Sequence, residues 1–479
     1  GILGIDSEGM CCSAKELDLN DDHGGILILP GDLPLGVDVF DALGITTDTV
    51  FNLDLTRNRP DCWGHMGVAR DLSARMRLAF GNDVPGTPSH PVHALPLTIA
   101  DEESCGRFTA TVVKNIRVAQ SPQWLQDRLA RSGMRPINNI VDASNYVMLE
   151  RNQPTHAYDL RSVASGFRVR FAKTGESLTP LDGQVRELHP ADIVIANGDD
   201  VAVGLGGVMG GLDSEVVEST TAIALEVAWF PADTVLDAAA RHGLRSEASA
   251  RFERGADPHG LEQAAWRFIE ILRLTCPDLE VHGAPQVVAN SACPPTVTVV
   301  ELRLAQVKRI LGIELNASQV AELIEPIGYA CDGAGDVISV SIPSWRPDST
   351  TEIDIIEEVA RHYGYDALGK SVPNSTVHGR LSPMQQRRRL VHAVMVEAGW
   401  CAAMPNPFLD PAATAMAGVS DEAQLALVNP LVAEESVLRV SLRPGLLRSV
   451  AYNQSHRVDD IHLYEVGHVY PKGKNSLPD

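Results

Sequence analysis

The sequence predicts a multidomain α+β protein, and three observations carry that reading. At 479 residues the chain is too long for one core; at roughly 100–200 residues per domain, about three or four modules are expected. Runs with period-two alternation, such as residues 222–230, occur among runs at helical spacing, such as Leu304, Val307, Ile310 and Leu311. Proline- and glycine-rich stretches at 82–96 and 285–295 punctuate these patterns.

Composition excludes several classes. With 44% hydrophobic and 21% charged residues and no apolar run long enough to span a bilayer, no membrane association is expected. The chain opens at Gly1 without a secretion signal, and both ends read as cut from something longer. Eight scattered cysteines without a C-x-x-C pair suit reduced thiols in cytoplasm better than a zinc site. A net charge of −22 argues against a surface that attracts nucleic acid everywhere, so any such contact is local or supplied by a partner.

Taken in order, residues 1–35 are turn-rich, with 24–31 reading as a strand between glycines, the tail of a small barrel. Residues 36–100 form a connecting block: a helix from Cys62 to about Met76 with Asp61 as its N-cap, then a linker at 82–96. Residues 101–288 alternate strands with helices, including 122–132 and 231–243. Residues 289–370 read as helix, turn, helix and wing: Leu304 to Leu311 stopped by Gly312, a second helix from near Asn316, and alternation through 337–342. The would-be reading helix carries Glu322 and Glu325 and no cation, so a structural role is expected and no DNA partner. The last block, 371–479, has an amphipathic helix opened by Arg387, Arg388 and Arg389 and a strand-like run at 461–470. Arg-Pro-Asp before a helix containing Val-Ala-Arg occurs at 59–70 and at 346–361, matches short enough to be chance.

Glu226 stands alone on one face of its predicted strand among Ala222, Ala224 and Ala228, opposite a face of Ile223, Leu225, Val227 and Trp229. Small neighbours leave room for a ligand; the other reading is an ion pair with Arg241 or Arg251, since an unpaired carboxylate in apolar surroundings is costly. The glycine-rich run 204–211 lacks the glycine spacing of a dinucleotide or phosphate loop and either admits a ligand close to backbone or makes tight turns. Asn145 and His156 lie a short loop apart, and a histidine there either orients a water or is hydrogen-bonded structure. No G-x-S-x-G nucleophile motif occurs. Asp348, Asp354, Glu357 and Glu358 cluster at a helix start, as oxygen ligands for Mg²⁺ or as acids favoured by the helix dipole.

Residues 133–142, Asn145-Tyr146-Val147, Gln153-Pro154 with His156 to Leu160, and His242-Gly243-Leu244 leading to Arg251-Phe252-Glu253-Arg254-Gly255 together resemble the β subunit of bacterial phenylalanyl-tRNA synthetase. Residues 56–61 with 67–70, and 345–348 with 356–361, resemble two further signatures of that family, in family order. The resemblance implies the tail of a tRNA-binding oligonucleotide barrel, a connecting domain, an α/β editing domain, a winged-helix-like domain and a truncated, non-catalytic class II synthetase-like antiparallel-sheet domain. It implies an α subunit that activates phenylalanine with ATP and Mg²⁺ in an α₂β₂ assembly binding tRNA(Phe), while this chain hydrolyses mischarged tyrosyl-tRNA. An apolar phenylalanine pocket rejects an added hydroxyl by only about a hundredfold, so a second site is chemically sensible. By resemblance Glu226 recognises the tyrosine phenol, His156 positions water or the ester, Gly210 and Ala248 keep the pocket open, and Asn145 and Ser246 contact substrate. Many relatives have threonine where Ser246 stands. The resemblance also makes Asp348, Asp354, Glu357 and Glu358 a magnesium site shared with α, with Pro347 where a bulky apolar residue is usual. A non-catalytic tRNA-binding or regulatory protein reusing these domains is the alternative.

Overall fold

A computed structural model describes residues 9, 11–19, 22–45, 48–81, 86–370, 372, 376, 379–416, 418, 420 and 424–473. The chain divides into two compact units, Gly1–Lys370 and Ser371–Asp479.

In the first unit the predicted strand at 24–31 does not form: Ile26 and Ile28 are exposed, and one backbone bond, from Leu27 N to Cys12 O at 2.8 Å, ties the segment down. A strand persists only where a neighbour supplies a ladder, and the described residues around it supply none. The connecting helix α1 (His65–Met76) follows a 3₁₀ turn, Pro60–Trp63, and its N-cap is Gly64. Asp61 therefore does not cap it; its carboxylate accepts from Arg59 Nε and Nη2 at 3.0 and 3.1 Å. Within the expected linker, residues 82–85 lie outside the described residues, but Ser89 N and His90 N both donate to Val281 O, so its later part is laid along the sheet.

The main module contains β1 (Leu97–Ile99), β2 (Arg107–Lys114), α2 (Gln123–Arg131), α3 (Asn139–Arg151), β3 (Thr155–Asp159), β4 (Phe167–Phe171), β5 (Ile193–Asn197), β6 (Ala202–Leu205), β7 (Met209–Gly210), β8 (Ala222–Trp229), α4 (Ala232–His242), α5 (Glu247–Phe252), α6 (Leu261–Leu272) and β9 (Glu280–Ala289). Four strands pair antiparallel in the order β9-β2-β8-β3, and five more form a second sheet in the order β1-β4-β5-β6-β7. Alternation along β8 separates two cores. Ile223, Leu225 and Val227 meet Leu129, Ile140, Leu261 and Phe268 of the helices, whereas Ala224 and Ala228 face Val169, Ile193 and Leu205 of the second sheet together with Val235 and Phe252.

Next come β10 (Thr298–Arg303), α7 (Leu304–Leu311), α8 (Ala317–Ile324), β11 (Ala330–Asp332), β12 (Val337–Ile342) and α9 (Glu352–Tyr363). The strands form an antiparallel sheet in the order β10-β12-β11. Gly312, at φ 73°, ends α7 in the left-handed conformation, and Asn316 caps α8 through a capping box with Gln319. Ile355, Ile356 and Val359 place α9 in the same core as Val307, Val320 and Val340.

The second unit holds α10 (Pro383–Glu397), capped by Ser382, with Leu390 and Val394 exposed. Its strands are two residues long; the predicted strand at 461–470 contracts to Leu463–Tyr464, paired parallel with Cys401–Ala402. Among the described residues no helix is long and apolar enough to cross a membrane.

Candidate functional site

Glu226 pairs directly with His156 across the β8–β3 ladder and with Ala110 of β2 on its other side. Directly opposed residues on one face hold their Cβ atoms about 4.5–5.5 Å apart, so carboxylate and imidazole share one patch of the sheet. Only 6% of Glu226 is exposed, and its buried Oε2 has no hydrogen-bond partner among the described residues. Burial pushes its pKa up to about 7, opposed by the neighbouring Tyr158 hydroxyl. The ion-pair reading fails, because Arg241 pairs with Asp192, and Arg251 with Glu247 at 2.7 Å.

His156 keeps some exposure, but its Nε2 is shut away from solvent without a partner, and burial lowers its pKa to about 4. At neutral pH it is an uncharged imidazole, suited to hydrogen bonding and too weak a base for efficient proton abstraction. Gly210 makes room for it: a Cβ at 210 would lie 2.4 Å from His156 Cε1 and Nε2. The glycine-rich run forms β6, β7 and the turn between them, where Gly207 takes φ 72°.

A cavity of about 530 Å³ opens over this patch, lined by Asn145, His156, Gly210, Glu226, Ser246 and Ala248. The six residues singled out from the sequence thus lie around one space, although Asn145 comes from α3, Gly210 from β7 and Ala248 from α5. Ser246 is largely committed to structure: its hydroxyl donates to Val208 O at 2.6 Å and accepts from Ser249 N at 3.0 Å, capping α5. One lone pair remains for a ligand. Sequence reasoning missed Tyr158, and Arg135, an exposed cation lining the same cavity; the motif Gly133-Met134-Arg135-Pro136 was the available signal for the latter.

The four acids near α9 do not converge. Asp348 accepts from Arg346 Nε and Nη2 at 3.0 and 2.8 Å, and Glu358 accepts from Arg346 Nη2 at 2.9 Å and from Arg361 at 3.3 Å. Asp354 Oδ2 accepts from Thr350 N, Thr351 N and Thr351 Oγ1, completing the capping box of α9. Among the described residues Glu357 accepts only from Asn58 Nδ2, at 3.3 and 3.2 Å. Among the described residues the one acidic group with donor atoms close enough for a cation is Asp71, Glu358 and His362, and there Arg59, Arg346 and Arg361 already neutralise the carboxylates. Mg²⁺ needs about six oxygen ligands, so as arranged in this chain the donors do not fit it. The two Arg-Pro-Asp echoes fold alike: each arginine grips the aspartate two residues on and reaches an acid twelve residues on, Asp71 or Glu358.

Three families match in succession: the B3/4 domain over residues 104–277, the tRNA synthetase B5 domain over 300–365, and the phenylalanyl tRNA synthetase beta chain CLM domain over 368–479. Phenylalanine–tRNA ligase beta subunits of Anaeromyxobacter dehalogenans, Carboxydothermus hydrogenoformans and Geobacter sulfurreducens are 38%, 36% and 37% identical over 98%, 100% and 98% of this chain. A solved N-terminal fragment of the Pyrococcus horikoshii phenylalanyl-tRNA synthetase beta subunit, 15% identical, covers 64% of the chain and 85% of its own at a TM-score of 0.35, a likeness too weak to argue from. The chain spans 59%, 60% and 59% of the length of the three curated relatives. Over that span, the chain is similar throughout to beta subunits of phenylalanine–tRNA ligase.

Proposed function

We propose that this chain serves a cytoplasmic phenylalanine–tRNA ligase as its β subunit and hydrolyses mischarged tyrosyl-tRNA in the cavity over β8 and β3. An α partner, in an α₂β₂ assembly, would attach phenylalanine to tRNA(Phe) with ATP and Mg²⁺ at its own site. The observation that supports the reading is a buried carboxylate, one oxygen of which has no hydrogen-bond partner among the described residues, lining a cavity of about 530 Å³. A phenol O–H donating to that carboxylate makes a hydrogen bond to a charged group, stabilising by about 1.5–3 kcal/mol. Phenylalanine leaves the acid unpaired, so the site selects the hydroxyl that an apolar synthetic pocket tolerates. In the hydrolysis water adds to the ester carbon and the ribose oxygen of tRNA leaves with a proton; neutral His156 holds the water or the ester in line. Gly210 and Ala248 keep the space clear, Asn145 and Ser246 offer polar contacts, and exposed Arg135 suits a tRNA phosphate.

The test is deacylation of tyrosyl-tRNA by the reconstituted assembly carrying Glu226→Ala. Tyrosyl-tRNA hydrolysis should fall while phenylalanine charging persists; equal loss of both would remove Glu226 from recognition.

A further inference from the structure

We infer that a second cavity, of about 320 Å³, is a binding site for a small zwitterion of the free α-amino-acid class, its carboxylate held by Arg70 and its ammonium by Asp257. The cavity lies where three parts of the first unit meet. Asp61 and Arg70 come from the 3₁₀ turn and α1, Arg151 from the end of α3, Asp257 from the loop before α6 and Trp345 from the loop after β12. It shares no lining residue with the cavity over β8 and β3, so the inference stands apart from the editing function proposed above. Junctions between modules commonly hold small-molecule sites, and this volume is at the lower end of their range.

Most charges on its wall are already committed. Asp61 accepts from Arg59 at 3.0 and 3.1 Å, Arg151 donates to Gln263 Oε1 at 3.2 Å, and the His259 ring pairs with Pro294 O at 2.9 Å. Arg70 is not. It is only 8% exposed, its guanidinium lies over the Trp345 ring at 4.2 Å and the Phe80 ring at 5.5 Å, and it makes no hydrogen bond among the described residues. Its one ion pair, at 3.9 Å, is to Asp61, a carboxylate that Arg59 already grips. Aromatic rings satisfy the flat face of a guanidinium and leave its N–H edge without acceptors, which is costly for a buried charge. Asp257 is the counterpart: its Oδ1 accepts from His259 N at 2.9 Å, while Oδ2 accepts from no described residue. Gly260 leaves Oδ2 uncrowded, since a Cβ there would lie 3.0 Å from it. Both side chains line the cavity, and neither the guanidinium nor Oδ2 is closed to solvent.

Among the described residues Arg70 and Asp257 form no ion pair with each other. An anion alone would have to sit beside Asp61 and Asp257, and a cation alone beside Arg70 and Arg151. A ligand carrying both charges bridges the open pair, and the fork of N–H groups on arginine matches a carboxylate.

The experiment is a thermal-shift screen of the chain with each coded L-amino acid at about 10 mM, enough to reveal binding of millimolar affinity or better, followed by calorimetric titration of whatever stabilises it. At least one free amino acid should raise Tm. Its N-acetyl and amide derivatives, each lacking one charge, and inorganic phosphate should not. Asp257→Asn and Arg70→Gln should each weaken binding by about 10–100-fold, the strength of a hydrogen bond to a charged group, and Glu226→Gln should leave it unchanged. No stabilisation by any amino acid overturns the inference. So does equal binding of the N-acetyl or amide form, or binding of phosphate alone. Loss in Glu226→Gln with retention in Asp257→Asn would put the ligand in the other cavity and overturn it as well. Should Arg70→Gln melt early, Asp257→Asn, which keeps the side chain's shape, decides alone, and unchanged affinity there overturns the inference.

Discussion

Replacing Glu226 by glutamine should make the stability of the main module depend on pH in a way the wild type does not. In the fold Glu226 titrates near 7 instead of its ordinary 4.5. That difference corresponds to about 3 kcal/mol. Between these values the folded chain holds a proton the unfolded chain has released, so stability falls as pH rises and the full penalty stands above pH 7. His156 acts the opposite way: lowered from 6.5 to about 4, it lets the folded chain stay neutral where the unfolded chain is protonated. Its contribution rises with pH across that window, again by about 3 kcal/mol. In the wild type the two slopes largely cancel. Glu226→Gln keeps the side chain's size and a carbonyl acceptor but removes the falling slope, so the variant should match wild type near pH 4.5 and exceed it by about 3 kcal/mol near pH 7.5. At about 2–4 °C per kcal/mol for a module of this size, the gap in Tm should open to roughly 6–12 °C. Scanning calorimetry of both proteins at pH 5, 6, 7 and 8 measures it. A Tm difference that stays constant across this range would refute the buried, strained acid.

Gly210→Ala should push the His156 ring aside, since the new Cβ falls 2.4 Å from it. The overpacking should cost about 1–3 kcal/mol in a melt, and tyrosyl-tRNA deacylation should fall with it. Arg346→Met strands the carboxylate of Asp348 and takes from buried Glu358 its closer partner, and should destabilise the module by about 3–5 kcal/mol. For the isolated wild-type chain, adding Mg²⁺ or EDTA should leave Tm unchanged, because arginines already occupy those acids. A Mg²⁺-dependent rise in Tm would restore the cation reading.

Local signals read well where local physics decides. Gly312 and Asn316 mark helix ends by left-handed geometry and capping, and alternation along β8 separated its two cores. Failures arose where distant partners decide. The apolar run at 24–31 reads as a strand between glycines but finds no ladder among the described residues. Helix α3 escaped notice because buried Asn139 and Asp142 interrupt its apolar stripe; Asn139 bridges Ala119 and Arg117, and Asp142 accepts from Ser121 and Ile137. The acids near α9 clustered in sequence without converging in space, and Arg346 and Arg361, each within three residues of an acid, were the clue that Asp348 and Glu358 were already paired. Glu226 was legible from its alanine neighbours; its pairing with His156, 70 residues away, depends on strand register, which spacing does not reveal.

The central claim is that a buried acid distinguishes two aromatic esters by a single oxygen. The ratio of kcat/KM for tyrosyl- over phenylalanyl-tRNA hydrolysis, compared between the wild-type assembly and Glu226→Gln, tests it most directly. The account predicts a ratio well above one that drops by about 10–100-fold in the variant, the worth of a charged hydrogen bond. An unchanged ratio would contradict it.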